Sequence, residues 1–379
     1  MPDPRTPRFL PLLAIALAVR LLVVVLGVLL AGRPPHNARP VDPTANAILD
    51  RAAASAPLVE PWYRWDAIWY ANVAERGYAG AADSGGRLGV AFLPALPAVM
   101  AVSAASGLNP FWLGILVPNL ASAAGVAVMA RLAARLTNSR DTGIRTFVVL
   151  LAFPTAFFFS APYNEAFGLL FGALALSAWQ QERARSAAGF ALLGSLSRMT
   201  GVALGVAAVG AWVLNRERTR EGARRAAWLA AGSFGGLVLF WGFLWWSVGD
   251  FFAGAKSQSS WGRAGPSLLN PWIAVTDALN PEYPRYGDLL AVVMCGVLGV
   301  RAWVKRGAFW GIVVLVPVAQ MLATGTLLSG ARLVLACLPA FVELADVVRR
   351  RVIFVPLVGA SAAVQLVLLD RFVHWVFAG

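Results

Sequence analysis

The sequence predicts an all-α polytopic membrane protein, a single domain over residues 1–379 with about 9–11 transmembrane helices. Two observations lead to this fold class. Of all residues, 59% are hydrophobic and only 13% are charged, with a mean hydropathy of +0.66, whereas soluble domains carry about 25% charged residues. In addition, the apolar runs at 9–32 and 350–370 have the length that a helix needs to cross the hydrocarbon core.

Five basic clusters at the ends of apolar runs predict how the chain is threaded through the membrane. The positive-inside rule assigns such clusters to the cytoplasmic side. They lie at 131–145, 181–185, 215–225, 301–306 and 348–351. The net charge of +13 does not indicate a nucleic-acid partner, because the arginines are gathered at these loop ends. Their positions predict a multi-pass protein of the cell (inner) membrane that contacts membrane lipid.

The segments between the clusters must then cross the membrane in pairs. Residues 146–181 and 308–348 are predicted to form two spans each, and residues 226–300 to form two spans around a polar loop at about 250–286. Residues 187–214 are too short for two full spans, so we predict a hairpin of half-length helices there.

The segment GVAFLPALPAVMAVSAASG (89–107) interrupts this pairing. It is apolar enough to cross the membrane, but a full crossing would invert every later span. We therefore expect a partly inserted or re-entrant segment, which is tolerated at membrane depth where its backbone is buried against protein.

The polar and aromatic motifs all fall on the opposite, extracytoplasmic face in this arrangement. They come from five separate stretches, among them parts of a first outer loop at about 33–89 and of the outer loop at about 250–286. Five stretches on one face predict a common site, which these two loops would form, rather than five unrelated loops.

The stretch PWYRWDAIWYANVAERGY (61–78) predicts a short amphipathic helix in the first outer loop, with Pro61 suited to its start and Gly77 to its C-terminal cap. Its aromatic residues have two explanations. They can anchor the loop at the level of the lipid headgroups, or they can stack on a substrate. The substrate-binding candidates are Trp65, Trp69 and Tyr70.

An aromatic anchor does not explain Asp66, which lies among tryptophans where an ionised carboxylate is poorly solvated. In the first turn of the predicted helix, the positive end of the helix dipole would keep this carboxylate ionised. An ionised carboxylate that faces a lipid-lined cleft can accept a proton from a substrate hydroxyl. Asp66 is therefore a catalytic candidate.

A second acid, Glu165, lies at the start of a predicted span, beside Tyr163 and Asn164, which are two further substrate-binding candidates. A carboxylate at that depth is a functional candidate, although an acid in the first helical turn also stabilises a helix. Arg198 lies in a segment that is otherwise free of charge. Its planar guanidinium suits a phosphate group, and structural pairing with Glu165 or Asp66 is the alternative.

The loop KSQSSWGRAGP (256–266) supplies further candidates for binding an anionic headgroup or a sugar, namely Gln258, Trp261 and Arg263. Arg332, in the motif SGAR, lies at the mouth of a predicted span. For the loop and for Arg332, the alternative is a side chain that only snorkels to the membrane interface.

Cofactor sites are not indicated by the sequence. The two cysteines lie inside apolar runs and only two histidines occur, so no cysteine-based or histidine-based metal site is predicted. Neither a P-loop nor a G-x-G-x-x-G motif precedes a suitable helix. A D-x-D pair, common in metal-dependent enzymes that use nucleotide sugars, does not occur either. We therefore expect no cofactor, while a divalent ion beside the two acids stays open.

Six motifs resemble, in chain order, the PIG-V-like mannosyltransferases, multi-spanning glycosyltransferases of the GT-C class whose eukaryotic member adds the second mannose of the GPI anchor. The motifs are RWDAIWYANVAERGY, FLPALP, FPTAFFFSAPYNEAF, SRMTG, QSSWGR and SGARLVLACLPAF. The resemblance covers about residues 60–345, and its specific part is W-D-x-x-W-Y-x-x-x-A-x-x-G-Y. Two positions depart from the family pattern. FLPALP lacks the tyrosine of the usual FFPLYP, and Leu333 replaces the tyrosine that usually follows the arginine.

The resemblance implies a GT-C-like bundle and a polyprenyl-phosphate sugar donor, typically mannose, which is used at the extracytoplasmic face, with inversion and without a nucleotide. The family's acid in the first outer loop falls on Asp66, and the acid of its Y-x-E turn falls on Glu165. We hypothesise that Asp66 takes the proton of the acceptor hydroxyl and that Glu165 orients a hydroxyl or pairs with an arginine. The candidates to hold the departing lipid phosphate are Arg198, Arg263 and Arg332. The acceptor would be a lipid, a glycan or a protein.

Two other functional classes stay open. A lipid or glycolipid transporter (flippase) would also need a polar cavity, but it should show corresponding broken helices in two related halves, and the sequence has no visible internal symmetry. A non-catalytic membrane scaffold could keep the aromatic loop, but it would have little use for Asp66 and Glu165 on one face.

Overall fold

The structure, a computed structural model, describes residues 5–34, 37, 42–83, 88–215, 219–263, 265 and 267–378. Parts of the two predicted outer loops and of the basic cluster at 215–225 lie outside the described residues. Within the described part, the chain contains α-helices and 3₁₀ turns and no strand, in agreement with the predicted all-α class.

The described α-helices are, in chain order, α1 (Phe9–Ala31), α2 (Pro43–Ser55), α3 (Asp66–Asp83), α4 (Ala95–Ala105), α5 (Pro110–Thr137), α6 (Arg140–Ala152), α7 (Glu165–Gln180), α8 (Ala184–Ser197), α9 (Val202–Leu214), α10 (Arg220–Val248), α11 (Ala253–Lys256), α12 (Asn270–Ala278), α13 (Tyr286–Arg306), α14 (Ala308–Leu322), α15 (Gly330–Leu333), α16 (Leu338–Val347) and α17 (Arg351–Val373).

Five of these helices, α1, α5, α10, α13 and α17, are long and apolar enough to cross a membrane. This result agrees with a polytopic helical membrane protein. The predicted spans at 9–32 and 350–370 correspond to α1 and α17, and the pair predicted within 226–300 corresponds to α10 and α13. The hairpin of half-length helices predicted at 187–214 is formed by α8 and α9.

The long helices begin and end at residues that favour such ends. The side chain of Asn109 accepts hydrogen bonds from two backbone N–H groups in the first turn of α5, and Pro110 occupies a position where no N–H is needed. Asn138 then ends α5 in the left-handed conformation. Thr219 and the left-handed Gly249 have the same roles at the two ends of α10.

The helix predicted for the stretch 61–78 begins later than expected, at Asp66 instead of Pro61. Pro61 lies in a 3₁₀ turn over Glu60–Trp62, and Trp65, with φ of 55°, separates that turn from α3. The prediction of the start was wrong because this turn depends on contacts from other helices. Asp66 does lie in the first helical turn, and Gly77, with φ of 66°, interrupts α3 near the predicted end.

The segment 89–107 lacks a helix long enough to cross a membrane by itself. It contains α4, whose 11 residues extend for about 16 Å, roughly half the thickness of the hydrocarbon core. Asn164 holds the N-terminal side of this segment, because its side chain donates a hydrogen bond to Leu93 O and accepts one from Leu96 N (both 2.9 Å).

The pair of spans predicted for 146–181 is interrupted by a long break. α6 ends at Ala152, two residues before Pro154, which cannot continue the helical hydrogen bonds. A 3₁₀ turn at Ala156–Phe159 follows, and α7 begins only at Glu165. The break lies inside the bundle, where Phe157, Phe158 and Phe159 are buried.

Polar side chains of two flanking spans satisfy the carbonyl groups that this break leaves free. Ser361 and Gln365 of α17 donate hydrogen bonds to carbonyl oxygens of residues 151–153. Arg20 of α1, which is fully buried, donates to Ala156 O at 2.7 Å. Since an unpaired carbonyl is costly in a membrane, α1 and α17 allow the chain to leave helical geometry and approach the site.

Contacts among the basic clusters gather them at one end of the bundle, here called the basic end. Their residues bond to one another or to nearby carbonyl groups across helices that are distant in sequence. These pairs are Arg145–Ala345, Arg306–Leu136 and Arg225–Glu182. α13 connects this end with the opposite, site end, since its 21 residues extend for about 30 Å.

Candidate active site

Four charged side chains form an alternating chain at the site end of the bundle. Arg332 Nη1 lies 2.7 Å from Asp66 Oδ2, and Arg332 Nε lies 3.5 Å from Glu165 Oε1. Arg198 Nη1 lies 2.5 Å from the same Oε1 of Glu165. We call Asp66, Arg332, Glu165 and Arg198 the site cluster. All four were sequence candidates, and the pairing of Arg198 with Glu165 was one of the alternatives considered for it.

Each member of the site cluster comes from a different helix end. Asp66 lies in the first turn of α3 and Glu165 in the first turn of α7, so the positive end of a helix dipole favours the ionised form of both carboxylates. Arg198 lies between α8 and α9, at the tip of their hairpin, and Arg332 lies in the short helix α15. The burial of these groups is deepest at Glu165, whose side chain is 2% exposed, against 22% for Asp66.

Aromatic rings and carboxylates hold Arg332. Its guanidinium carbon lies 5.3 Å from the ring centre of Phe158 and 5.4 Å from that of Tyr163, within cation–π range. Burial acts to lower the pKa of Arg332, but the charges of Asp66 and Glu165 outweigh it and raise that pKa above its ordinary value. Arg332 is therefore a permanent cation of the site.

The backbone beside Arg332 is fixed by two side chains that the sequence reasoning missed. Asp288, at the start of α13, accepts a hydrogen bond from Ala331 N at 2.8 Å, and Thr155 donates one to Ala331 O at 2.7 Å. Asp288 could have been found from the sequence, because it is an acid at the start of a predicted span, the pattern by which Glu165 was chosen. Thr155 carried no signal, because its role depends on the break between α6 and α7.

A third arginine, Arg263, lies near the site cluster without a carboxylate of its own. Its guanidinium donates a hydrogen bond to Gln258, and no acid forms an ion pair with it in the part of the chain that the structure describes. The pKa of Arg263 is lowered by burial and by the positive charges of Arg332 and Arg198. The surroundings of Arg263 therefore favour an added anion.

Two of the predicted aromatic residues, Trp69 and Trp261, join the first outer loop to the loop after α10. The rings of Trp69 and Trp261 meet edge to face at 6.1 Å, and Trp261 also meets Phe92 at 5.4 Å. Tyr70 packs on Phe92 at 4.9 Å and on Tyr163 at 6.1 Å. The indole N–H of Trp261 has no hydrogen-bond partner among the described residues. It remains available to a ligand.

Tyr163 and Asn164, which were substrate-binding candidates, hold the backbone. The Tyr163 hydroxyl donates to Arg64 O at 2.9 Å and accepts from Asp66 N at 3.2 Å. Both ends of the Asn164 amide are bonded within the segment 89–107. These two residues position the chain around Asp66 and Glu165, since their polar groups are already occupied.

A narrow apolar cleft, with a cavity volume of about 40 Å³, begins at Glu165 and Arg198. Its walls come from α7, the tips of α8 and α9, α14 and the residues around 335–338. The lining is mostly small or apolar and includes Gly168, Gly172, Gly194, Leu204, Val313 and Leu338. Glu165 Oε2 is buried and has no hydrogen-bond partner within the described chain.

Metal ligands are not gathered at the site. Among the described residues, no group of three or more His, Cys, Asp or Glu side chains could hold a metal ion. The two acids of the site cluster are each bonded to an arginine.

A scan of the chain against known protein families and a search of curated proteins find no match. The likeness to PIG-V-like mannosyltransferases therefore rests on the six short motifs alone. The geometry is independent of that likeness. Four of the six motifs each supply one charged residue of the site cluster, and a fifth, QSSWGR, supplies Trp261, whose ring meets that of Trp69.

Proposed function

We propose that this chain is an inverting membrane glycosyltransferase with a GT-C-like bundle. It transfers a hexose, with mannose as the first candidate, from a polyprenyl-phosphate donor to a hydroxyl group of a lipid, glycan or protein at the extracytoplasmic face. The observation that carries the proposal is the alternating chain of carboxylates and guanidinium groups at the mouth of an apolar cleft. The choice of mannose and of this membrane face rests on the motifs and on the basic clusters.

The charge of the site supports a phosphate-bearing donor. Among the five charged candidates, Asp66 and Glu165 contribute two negative charges and the three arginines, Arg198, Arg263 and Arg332, contribute three positive ones, so these five residues carry one positive charge in excess. A lipid-phosphate sugar carries one negative charge on its phosphate, and this charge grows as the phosphate leaves. Cations already in place stabilise such developing charge without reorganisation.

Asp66 is suited to take the acceptor proton. Arg332 occupies its Oδ2, whereas Oδ1 has no partner within the described residues. In the proposed step, the acceptor oxygen forms a bond to the anomeric carbon while its proton passes to Asp66 Oδ1. The bond between the anomeric carbon and the phosphate oxygen breaks, and its electron pair leaves with the lipid phosphate. Attack from the face opposite the phosphate inverts the anomeric centre.

Glu165 is suited to orient a sugar. Its Oε1 is shared by Arg198 and Arg332, and its buried Oε2 has no protein partner in the described chain. A buried acceptor without a donor is costly, so a hydroxyl group of the sugar that donates to Oε2 would bind tightly. The N–H of Trp261 and the ring edges of Trp69 and Trp261 offer further contacts to a sugar.

The apolar cleft supports a lipid-linked substrate. It begins at Arg198, where a phosphate can bind, and its walls beyond that point are apolar. A polyprenyl chain is an apolar chain attached directly to its phosphate. The apolar walls would therefore face the first isoprene units while the phosphate stays at the arginines.

The proposal is tested by transfer of radiolabelled mannose from polyprenyl-phosphate mannose in membranes that contain the wild type or Asp66→Asn. We expect a labelled product with the wild type and a rate lower by about 10²–10⁴-fold with Asp66→Asn, as for the loss of a general base. Glu75→Gln is the matched control, because Glu75 is a partly exposed acid of the same helix that pairs with Arg51.

Full activity of Asp66→Asn would rule out Asp66 as the base. Absence of product with mannose, glucose and arabinose donors alike would favour transport or scaffolding over transfer. Both results require that the variant is present in the membrane at the wild-type level, which immunodetection of a tagged chain measures.

A further inference from the structure

The residue directly before Asp66 has an unusual backbone conformation. Trp65 has φ of 55°, in the left-handed region that bulky side chains rarely adopt. Such a conformation persists only where surrounding contacts impose it. The position of Asp66 therefore depends on whatever holds Trp65.

One restraint comes from the hydroxyl group of Tyr163, which bonds to Arg64 O on one side of Trp65 and to Asp66 N on the other. These two bonds close the turn from the inside of the bundle. They do not contact the Trp65 side chain, so they leave its large ring to be held by other residues.

The ring of Trp65 packs against residues that follow α17. It meets Trp375 at 5.9 Å and Phe377 at 5.7 Å, both edge to face. Trp375 is buried and has φ of 62°, so the chain turns sharply at this point. Asn37 donates a side-chain hydrogen bond to Trp375 O at 3.1 Å and thereby fixes the turn.

The neighbour of Trp65 is held by the same residues. Arg64 Nε donates to Val373 O at 3.1 Å, and the Arg64 guanidinium lies 4.6 Å from the ring centre of Trp375. Arg64 also pairs with Glu60 at 3.0 Å, which anchors the preceding 3₁₀ turn. Residues 373–377 thus contact both residues that precede Asp66.

We propose that residues 373–377, the clamp segment, are a positioning element of the active site. They impose the left-handed conformation at Trp65 from the C-terminal end of α17 while Tyr163 imposes it from the turn before α7, and together they aim the Asp66 carboxylate at Arg332 and the acceptor. This inference rests on the proposed function for its effect on catalysis, whereas the restraint on the turn is independent of it.

The test compares Trp375→Ala with Trp375→Phe in the full chain in lipid nanodiscs. One measurement is the kcat and the KM for polyprenyl-phosphate mannose. The other is amide hydrogen exchange, by mass spectrometry, of peptides that cover residues 62–67. Trp246→Ala is the matched control, because Trp246 is 81% exposed.

We expect Trp375→Ala to lower kcat about tenfold with little change in KM. Amide exchange at 62–67 should become faster by a similar factor. This size corresponds to the loss of one edge-to-face ring pair and one cation–π contact. Trp375→Phe keeps an aromatic edge and should recover most of both. Phe377→Ala, at a 41% exposed position, should give a smaller change in the same direction and serves if Trp375→Ala does not fold.

Unchanged exchange at 62–67 in Trp375→Ala would overturn the restraint itself. Faster exchange with an unchanged kcat would overturn the role in positioning Asp66. If the wild type transfers no sugar, the proposed function fails, and the exchange measurement still decides whether the clamp segment holds the turn.

Discussion

Two buried clusters of acids and arginines lie at opposite ends of the bundle, and their comparison separates a structural network from a candidate site. The first is the site cluster. The second, the basic-end cluster, consists of Glu343 and Asp346 of α16 with Arg301 and Arg306 of α13. Helix α13 connects the two clusters. Near its start, Asp288 accepts a hydrogen bond from Ala331 N, next to Arg332, and its last turns contain Arg301 and Arg306 of the basic end.

Both acids of the basic-end cluster are paired with arginines. Glu343 is fully buried, and its two carboxylate oxygens face Arg301 and Arg306. Asp346 pairs with Arg301 at 2.9 Å and with Arg349 at 2.7 Å. Two further hydrogen bonds join helices here. Arg306 donates to Leu136 O and connects α13 with α5, and Arg145 donates to Ala345 O and connects α6 with α16. Every charge is used to join helices.

Both clusters contain buried atoms without a hydrogen bond among the described residues, namely Glu343 Oε2 and Arg301 Nε at the basic end and Glu165 Oε2 at the site. The site cluster differs in what lies beside such an atom. Glu165 Oε2 has no partner among the described residues, Arg263 has no acid of its own there, and a cleft begins at Arg198. Acids and arginines therefore have different roles at the two ends of the bundle. A buried ion pair is weak support for function by itself, and the free atoms beside an opening are what distinguish the site.

The largest effect on stability should come from Glu343→Gln at the basic end. Removing one partner of a buried ion pair leaves the other uncompensated, so we expect a loss of about 3–5 kcal/mol of unfolding free energy, seen as a lower thermal midpoint in nanodiscs. The kcat of the protein that stays folded should not change. The control is Glu221→Gln, whose exposed pair with Arg224 contributes less than about 1 kcal/mol. A Glu343→Gln protein of wild-type stability would contradict the structural role.

The next effect concerns the free arginine of the site. Arg263→Gln should lower kcat/KM for the polyprenyl-phosphate donor about 10–100-fold, the size of a lost bond to a charged group, and should leave the thermal midpoint nearly unchanged. Lys256→Gln, which removes an exposed cation of the same loop, is the control. If both variants lose activity equally, general attraction of an anionic donor explains the loss, and Arg263 has no specific role.

A smaller effect should follow from Gly168→Ala on α7. A Cβ atom there would lie 2.9 Å from Arg198 Cδ, so the Arg198 side chain must shift from its position beside Glu165. We expect a loss of kcat/KM of about tenfold, since small displacements at an active site are costly. Gly189→Ala has open space around its new Cβ atom and should leave kcat/KM unchanged. Wild-type kinetics of Gly168→Ala would show that the placement of Arg198 is not critical.

Much of the fold could be predicted from the sequence because membrane crossing depends on local composition. The runs at 9–32 and 350–370 became α1 and α17, and the short segment at 187–214 became a hairpin. The breaks were harder to predict. α6 ends inside the bundle because Arg20, Ser361 and Gln365 satisfy its carbonyl groups, and these side chains are more than 130 residues away.

The candidate site shows the same division. Asp66, Glu165, Arg198 and Arg332 were selected from the sequence as charged residues at the ends of apolar segments. Their pairing was left open, and the roles of Tyr163 and Asn164 in holding backbone were not foreseen. Both depend on which loops meet, and no local pattern encodes a bond such as that between Arg64 and Val373, 309 residues apart.

The sequence by itself determined that this protein is a helical membrane protein and where its charged residues lie along the chain. It did so because the transfer of a segment into lipid depends on the side chains of that segment alone. Only the tertiary structure decided which acid meets which arginine, where a helix can stop inside the bundle and why Trp65 adopts a left-handed conformation. Those outcomes depend on partners from distant segments, since every buried polar group must find its bond somewhere in the folded chain.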